Sequence, residues 1–164
     1  MKKLIVPLVL TLVLLFSFML YNKLTGQSVT ESQIPQVKIE KRIVTKIIDG
    51  DTIVVSGGET VRLLGMDTDE RGYPCYTSAK KRLENLALGK EVTLERGEEN
   101  KDQYGRLLRY IFLENNNVNV QLVREGMAIA RLENNKLYAQ EIKDAEAYAI
   151  QNKIGCKWSN LSQQ

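Results

Sequence analysis

The sequence contains no histidine, and it has only two cysteines, Cys75 and Cys156. Without an imidazole there is no Ser-His-Asp or Cys-His nucleophile pair and no histidine general base. Two thiols are too few for an all-cysteine zinc site or for an iron–sulfur cluster. Any catalysis by this chain therefore has to use carboxylates, arginines, hydroxyl groups or a cation that oxygen atoms hold.

A large excess of one charge is also lacking. The 23 basic and 20 acidic residues leave a formal net charge of +3 over 164 residues, and Lys2, Lys3 and Lys23 account for part of it. A chain so close to neutral lacks the broad basic surface of a tight, sequence-independent nucleic-acid binder. If the protein handles polyanions, we expect it to use a few placed arginines.

The N-terminal segment is the one long uncharged run in the chain. Residues 4–21 carry no charge and follow Lys2 and Lys3, which favours export of the part that comes after them. The run suits either a cleaved signal peptide or a retained membrane anchor over residues 1–24, and both interpretations stay open. Residues 25–37 are polar and unpatterned, which predicts a flexible linker before a domain over residues 38–164. We expect a protein that is secreted or anchored on the outer face of the cytoplasmic membrane.

Export makes the two cysteines a candidate disulfide, because bridges persist in oxidising compartments. A bridge between Cys75 and Cys156 would add about 4 kcal/mol to the free energy of unfolding by the loop-entropy argument. Two free buried thiols are the alternative.

The periodicity of the domain predicts strands first and helices later. Three helices are expected, from Thr77 to Gly89, from Val118 to Gly126, and from Asn134 or Asn135 to Gly155. Alternating or β-branched runs predict five strands, which indicates a mainly-β α+β fold, a small and partly open barrel with helices around it. The predicted strands are residues 38–48, 52–55, 60–64, 91–95 and 107–113.

Polar residues gather where these strands begin or end. Residues 49–52 form a turn, Arg62 lies in the third strand, residues 67–70 follow that strand, and residues 102–106 precede the fifth. Carboxylates from two turns can converge on Ca²⁺ or Mg²⁺, and two arginines can hold a phosphate through paired hydrogen bonds. These are the parts that a phosphodiester hydrolase needs, although each motif taken alone is also ordinary turn chemistry.

Three of these stretches, in this order, resemble the staphylococcal nuclease (thermonuclease) family. They are residues 48–52, 62–70 and 102–107, and residues 122–128 and Trp158 fit the same pattern. The resemblance covers roughly Lys38 to Trp158 and implies a five-stranded OB-type barrel with three helices. It also implies a monomeric, Ca²⁺-dependent endonuclease that cuts DNA and/or RNA with little sequence choice and leaves 3′-phosphorylated ends.

The resemblance carries roles to individual positions. It implies two arginines that contact the scissile phosphate, a glutamate that acts as general base or orients the attacking water, and three calcium ligands. The positions are Arg62 and Arg106 for the arginines, Glu70 for the glutamate, and Asp51, Asp67 and the backbone carbonyl of Thr68 for calcium.

Two positions depart from the family pattern. Asp69 stands where the family commonly has proline, and its charge bears on metal affinity or on the placement of Glu70. Gln103 stands where lysine is frequent, while Tyr104 is kept, and both are expected to contact substrate. The alternative function is a non-catalytic OB-type module at the cell surface that binds nucleic acid or protein without cutting it.

Overall fold

The computed structural model describes residues 5–24, 40–132 and 137–159. The chain divides into two compact units, one up to Gln36 and one from Val37 onward. The first unit contains helix α1, Ile5–Leu24. Among the described residues, none of the helices is both long and apolar enough to cross a membrane. The predicted linker at 25–37 and the predicted helix start at Asn134 or Asn135 lie outside the described residues, and the signal or anchor segment stays a prediction.

The described residues of the second unit form eight strands, of which five make a barrel. The barrel order is β3-β2-β1-β5-β6, and a parallel pairing between β3 and β6 closes it. The prediction of a five-stranded OB-type barrel is confirmed. The strands are β1 Glu40–Ile47, β2 Thr52–Val55, β3 Thr60–Leu63, β4 Met66–Asp67, β5 Glu91–Lys101, β6 Leu107–Leu113, β7 Asn116–Asn117 and β8 Ile129–Ala130.

The barrel forms because alternate side chains of each strand point to its interior. Val44, Ile53, Val61, Val92 and Ile111 are all fully buried there. The largest difference from the predicted strands is in β5, which runs on to Lys101 instead of ending at residue 95. Its added part is charged and exposed, so it carries no hydrophobic alternation by which the sequence could predict it.

Four helices alternate with or follow the strands in the described part of this unit. Three of them correspond to the three predicted helices, although the last of the three spans only Ala139–Gln151, with Tyr138 and not Asn134 or Asn135 at its N-cap; the fourth is a single turn that was not predicted. Helix α2 packs Ala79, Leu83 and Ala87 onto the core. The helices are α2 Tyr76–Ala87, α3 Val118–Arg124, α4 Ala139–Gln151 and α5 Gly155–Trp158.

A covalent bridge and a buried amide hold the helices in place. Cys75, just before α2, forms a disulfide with Cys156 in α5. Asn119 in α3 is fully buried, and its side chain accepts a hydrogen bond from the Ile111 N–H (3.1 Å) and donates one to the Leu64 carbonyl (2.9 Å). Because a buried amide is costly unless it is hydrogen-bonded, these bonds fix α3 against β6.

Candidate active site

A cleft of about 500 Å³ opens beside β3 and the turn that precedes β6. Its walls combine stretches that are far apart in sequence. Asp67 and Thr68 do not line it, but they contact residues that do. The predicted site residues that line the cleft are Asp51, Arg62, Glu70, Gln103, Tyr104 and Arg106.

Strand pairing explains why these stretches meet. The antiparallel pairing of β2 and β3 sets Thr52 opposite Arg62, so Asp51 lies next to the Arg62 side chain. The parallel pairing of β3 and β6 sets Arg62 opposite Leu108, two residues after Arg106. The barrel thus brings residues 51, 62 and 106 to one end of three neighbouring strands.

The carboxylate of Asp51 is buried and fully engaged. Asp51 is 5% exposed, and its Oδ2 accepts hydrogen bonds from the Thr68 N–H (3.0 Å) and hydroxyl (2.8 Å). Its Oδ1 accepts one from the Thr52 hydroxyl (3.0 Å) and contacts Arg62 Nη1. A buried charge is tolerated only when it is paired and hydrogen-bonded in this way.

The guanidinium of Arg62 lies between two carboxylates. Besides Asp51, it contacts Asp67, with 2.6 Å between Nη2 and Oδ1, and Nη2 donates to the Met66 carbonyl (3.3 Å). The other oxygen of Asp67 is 3.2 Å from Nη1 of Arg131. The sequence analysis missed Arg131, which reaches the site because the short strand β8 before it pairs with β4. A pairing of two residues is too short to give a periodic signal.

The predicted calcium ligands fit a hard divalent cation by chemistry, and the two carboxylates among them also by proximity. Asp51, Asp67 and the Thr68 carbonyl offer only oxygen atoms, which Ca²⁺ and Mg²⁺ prefer. One guanidinium contacts both carboxylates, so the two lie close enough to share one cationic group. In the described part of the chain, no three carboxylate or thiol side chains gather as a metal-holding group. A cation at this place would therefore depend on backbone carbonyl and water ligands as well.

Arg106 is fixed by the turn from which it comes. Asp102 accepts hydrogen bonds from the Arg106 backbone N–H (3.0 Å) and from its Nε (2.7 Å). The guanidinium lies 5.5 Å from the ring centroid of Tyr104, and that ring is 76% exposed. Asp102 was not singled out from the sequence as a site residue, although its place four residues before an arginine is a recognisable signal. Tyr104 offers an open aromatic face at the rim of the cleft.

Glu70 lies in the loop between β4 and α2, with an exposed side chain that lines the cleft. The two residues that precede Glu70 are held by contacts of their own. Thr68 is bound to Asp51, and Asp69 accepts a hydrogen bond from the Cys75 N–H (2.8 Å) and contacts Lys157. The charge of Asp69 is thus paired with Lys157 of α5. Asp69 therefore affects the loop that carries Glu70 more than it affects the predicted metal ligands.

Two carboxylates of the site region stabilise the fold in a pH-dependent way. Burial raises the pKa of Asp69, but the hydrogen bonds from Lys157 and Cys75 outweigh burial and hold that pKa below its ordinary value of 3.8. Burial also raises the pKa of Asp102, but the hydrogen bonds from Arg106 and Tyr104 outweigh burial and hold that pKa below 3.8.

We therefore expect an acid-sensitive stability. A carboxylate with a lower pKa in the folded state contributes stability above its unfolded-state pKa and loses it as the pH falls through the folded-state value. The free energy of unfolding should not change through these groups between about pH 7 and pH 5, and it should decline below about pH 5. Urea denaturation across this range measures it. In Asp69→Asn the decline should be shallower, and an identical decline in the variant would contradict the assignment.

Comparison with known proteins places the chain in a family. Residues 60–160 match the family described as "Staphylococcal nuclease homologue". The chain is 33% identical over 136 residues to a thermonuclease of Staphylococcus intermedius. The aligned stretch covers 75% of this chain and 79% of that protein. A thermonuclease of Staphylococcus hyicus is 33% identical over 131 residues (71% and 75%), and the endonuclease YncB of Bacillus subtilis is 32% identical over 151 residues (85% and 71%). The chain therefore belongs to the staphylococcal nuclease homologue family.

Proposed function

We propose that this protein is an endonuclease that hydrolyses phosphodiester bonds in DNA and/or RNA with little sequence choice. The observation that carries the proposal is one cleft in which Arg62 and Arg106 lie together with the carboxylates of Asp51 and Glu70. Relatives that carry the names thermonuclease and endonuclease support the same reaction class.

The two arginines are suited to stabilise a phosphate as charge builds up on its oxygens. A guanidinium offers paired N–H groups in a planar fork that matches two phosphate oxygens. Asp102 accepts the hydrogen bond that Nε of Arg106 donates, so the terminal nitrogens of Arg106 can donate to a substrate. Donors that are held in place before the reaction contribute most when they meet charge that develops in the transition state.

We further propose that Asp51, Asp67 and the Thr68 carbonyl hold Ca²⁺. When bound, a divalent cation offsets phosphate charge and lowers the pKa of a water ligand. The same two carboxylates contact Arg62, so a bound cation and Arg62 compete for them. If these carboxylates held a cation, the contacts of Arg62 with them would weaken, and Arg62 would have more of its N–H groups available to a phosphate.

Glu70 is proposed to take the proton of the attacking water or to orient that water. Its carboxylate is exposed and lines the cleft, so a water molecule can reach it. The proposed reaction breaks the bond to the 5′ oxygen and leaves the phosphate on the 3′ end.

The experiment that tests this function is digestion of single- and double-stranded DNA and RNA with Ca²⁺, with Mg²⁺ or with a chelator, followed by analysis of the product ends. We expect cleavage only with a divalent cation, and 3′-phosphorylated ends. Glu70→Gln should lower kcat by about 10²- to 10⁴-fold, whereas Glu98→Gln, the same change at an exposed residue of β5, should not. Binding of nucleic acid without cleavage, under every metal condition, would favour the binding-module alternative.

We also propose that the protein acts outside the cytoplasm. The uncharged run at residues 4–21 after two lysines supports export, and a disulfide is typical of oxidising compartments. Cell fractionation, with N-terminal sequencing of the mature protein, tests the proposal and separates a cleaved signal from a retained anchor. Recovery of the whole chain in the cytoplasm would contradict it.

A further inference from the structure

A second cleft, of about 420 Å³, opens where the barrel interior turns from apolar to charged. We call it the barrel mouth. In β1, Arg42 continues the inward row of Val44, and in β6, Arg109 continues the inward row of Ile111. Four cationic and two acidic side chains line the barrel mouth, namely Arg42, Arg96, Lys101, Arg109, Glu40 and Glu59.

Arg109 is a buried cation whose contacts are all neutral. It is 6% exposed. Its guanidinium donates to the Leu108 carbonyl (2.8 Å), the Asn100 carbonyl (3.1 Å) and the Asn100 side-chain oxygen (2.8 Å). These bonds use three of its five N–H groups. Among the described residues Arg109 makes no ion pair with a carboxylate, although Glu40 and Glu59 attract it and Arg96 repels it; a buried charge without a directly paired counter-ion is unfavourable.

The two carboxylates of the barrel mouth are already paired with another arginine. Glu40 accepts a hydrogen bond from Arg42 Nε (2.7 Å), and Glu59 lies 3.2 Å from Arg42 Nη2. Within the described ranges, Arg96 and Lys101 form no ion pair either. Four cations against two carboxylates leave a net charge of +2 on one concave surface, where like charges repel one another.

We propose that the barrel mouth is a binding site for a phosphate-class oxyanion. The fork of Arg109 is already held in place by its neutral contacts and has N–H groups left to donate, which suits the oxygens of a phosphate. Arg96 is more exposed than Arg109 and, with Lys101, adds charge at the opening. Glu40 and Glu59 act on Arg109 without an ion pair and are themselves paired with Arg42, so an anion would add counter-charge in direct contact with Arg109.

The position of the barrel mouth indicates which phosphate it takes, and this step rests on the proposed nuclease function. The start of β6 lies between the two clefts, because its residues alternate: Leu107 and Arg109 line the barrel mouth, while Arg106 and Leu108 line the candidate active-site cleft. OB-type folds contact about 4 to 16 nucleotides of a single strand. We infer that the oxyanion is a backbone phosphate of a strand that extends beyond the active-site cleft; a free phosphate ion is the other source.

The first arm of the test is a titration of the whole protein with inorganic phosphate in the presence of a chelator, followed by NMR of the arginine Nε–H groups. We expect a saturable shift of the Arg109 resonance. In Arg96→Gln/Lys101→Gln the apparent Kd should rise roughly tenfold. The matched control Lys90→Gln/Lys143→Gln removes two charges at exposed positions away from the mouth and should leave the Kd unchanged. Substitution of Arg109 itself is avoided because Arg109 is buried and its hydrogen bonds hold Asn100 of β5.

The second arm compares cleavage of a dinucleotide with cleavage of a single strand of about 16 nucleotides. Arg96→Gln/Lys101→Gln should raise KM for the long strand at unchanged kcat, leave the dinucleotide unaffected, and reduce the salt slope of binding by about 1 to 2. A phosphate shift without this length effect identifies free phosphate as the source. If the Arg109 resonance does not respond to phosphate and the KM for the long strand is unchanged, the barrel mouth is not a binding site. Arg109 then only stabilises β5. An inactive protein would refute the nuclease proposal, while the phosphate titration would still decide this one.

Discussion

Arg106→Lys is expected to lower kcat/KM for nucleic-acid cleavage by about 10²- to 10³-fold, although the charge is kept. An ammonium is a point charge and cannot reproduce the planar pair of N–H groups that a guanidinium offers to two phosphate oxygens. In the structure, Asp102 already holds the arginine through Nε, and a lysine has no equivalent group to be held in this way. Initial rates on single-stranded DNA with saturating Ca²⁺ measure the effect.

The matched control is Arg124→Lys, which makes the same exchange at an exposed position of α3 outside the cleft. It should leave kcat/KM unchanged. Arg62→Lys should lose activity as well, but it also disturbs the pairing of Asp51 and Asp67, so its loss mixes stability with catalysis. If Arg106→Lys cleaves as fast as the parent protein, Arg106 does not hold the phosphate.

The second large effect concerns stability. Cys75→Ala/Cys156→Ala should lower the free energy of unfolding by about 4 kcal/mol, because the bridge spans a sequence separation of 81 residues and its loss restores the corresponding loop entropy to the unfolded chain. Urea denaturation of the parent protein and of the double variant measures the difference.

Reduction supplies an independent check on the same quantity. The parent protein treated with an excess of dithiothreitol should lose nearly the same stability as the double variant, and the double variant itself should not respond to the reductant. A loss below about 1 kcal/mol in both experiments would mean that the native contacts around Cys75 hold this region without the bridge.

The barrel could be predicted from the sequence because its strands have strong local signals. Thr52–Val55 and Thr60–Leu63 are short and β-branched and are joined by a glycine turn, and the helices show an apolar face with a period near 3.6. The two-residue strands β4, β7 and β8 could not be predicted, because two residues cannot display a period. The end of β5 was missed because its inward and outward positions are both charged.

The members of the candidate cleft were predicted only in part: Asp67 and Thr68 do not line it, while Asp102 and Arg131 do without having been predicted. The motif order indicated that Asp51, Arg62, Glu70 and Arg106 belong together, and the structure brings them to one cleft; their roles stay proposals. The pairing of Asp69 with Lys157 joins residues that are far apart in sequence, and no local pattern announces it.

The order in which the chain is made gives the disulfide a further meaning. The loop with Glu70 ends at Cys75, and the cysteine that secures it is synthesised 81 residues later. Lys157, which pairs with Asp69, comes directly after that cysteine. A nascent polypeptide can therefore build all five barrel strands while this loop still lacks both of its distant anchors. The loop that carries the proposed base is completed only after α5 has emerged and docked, so barrel formation and full activity should be separable in time during synthesis.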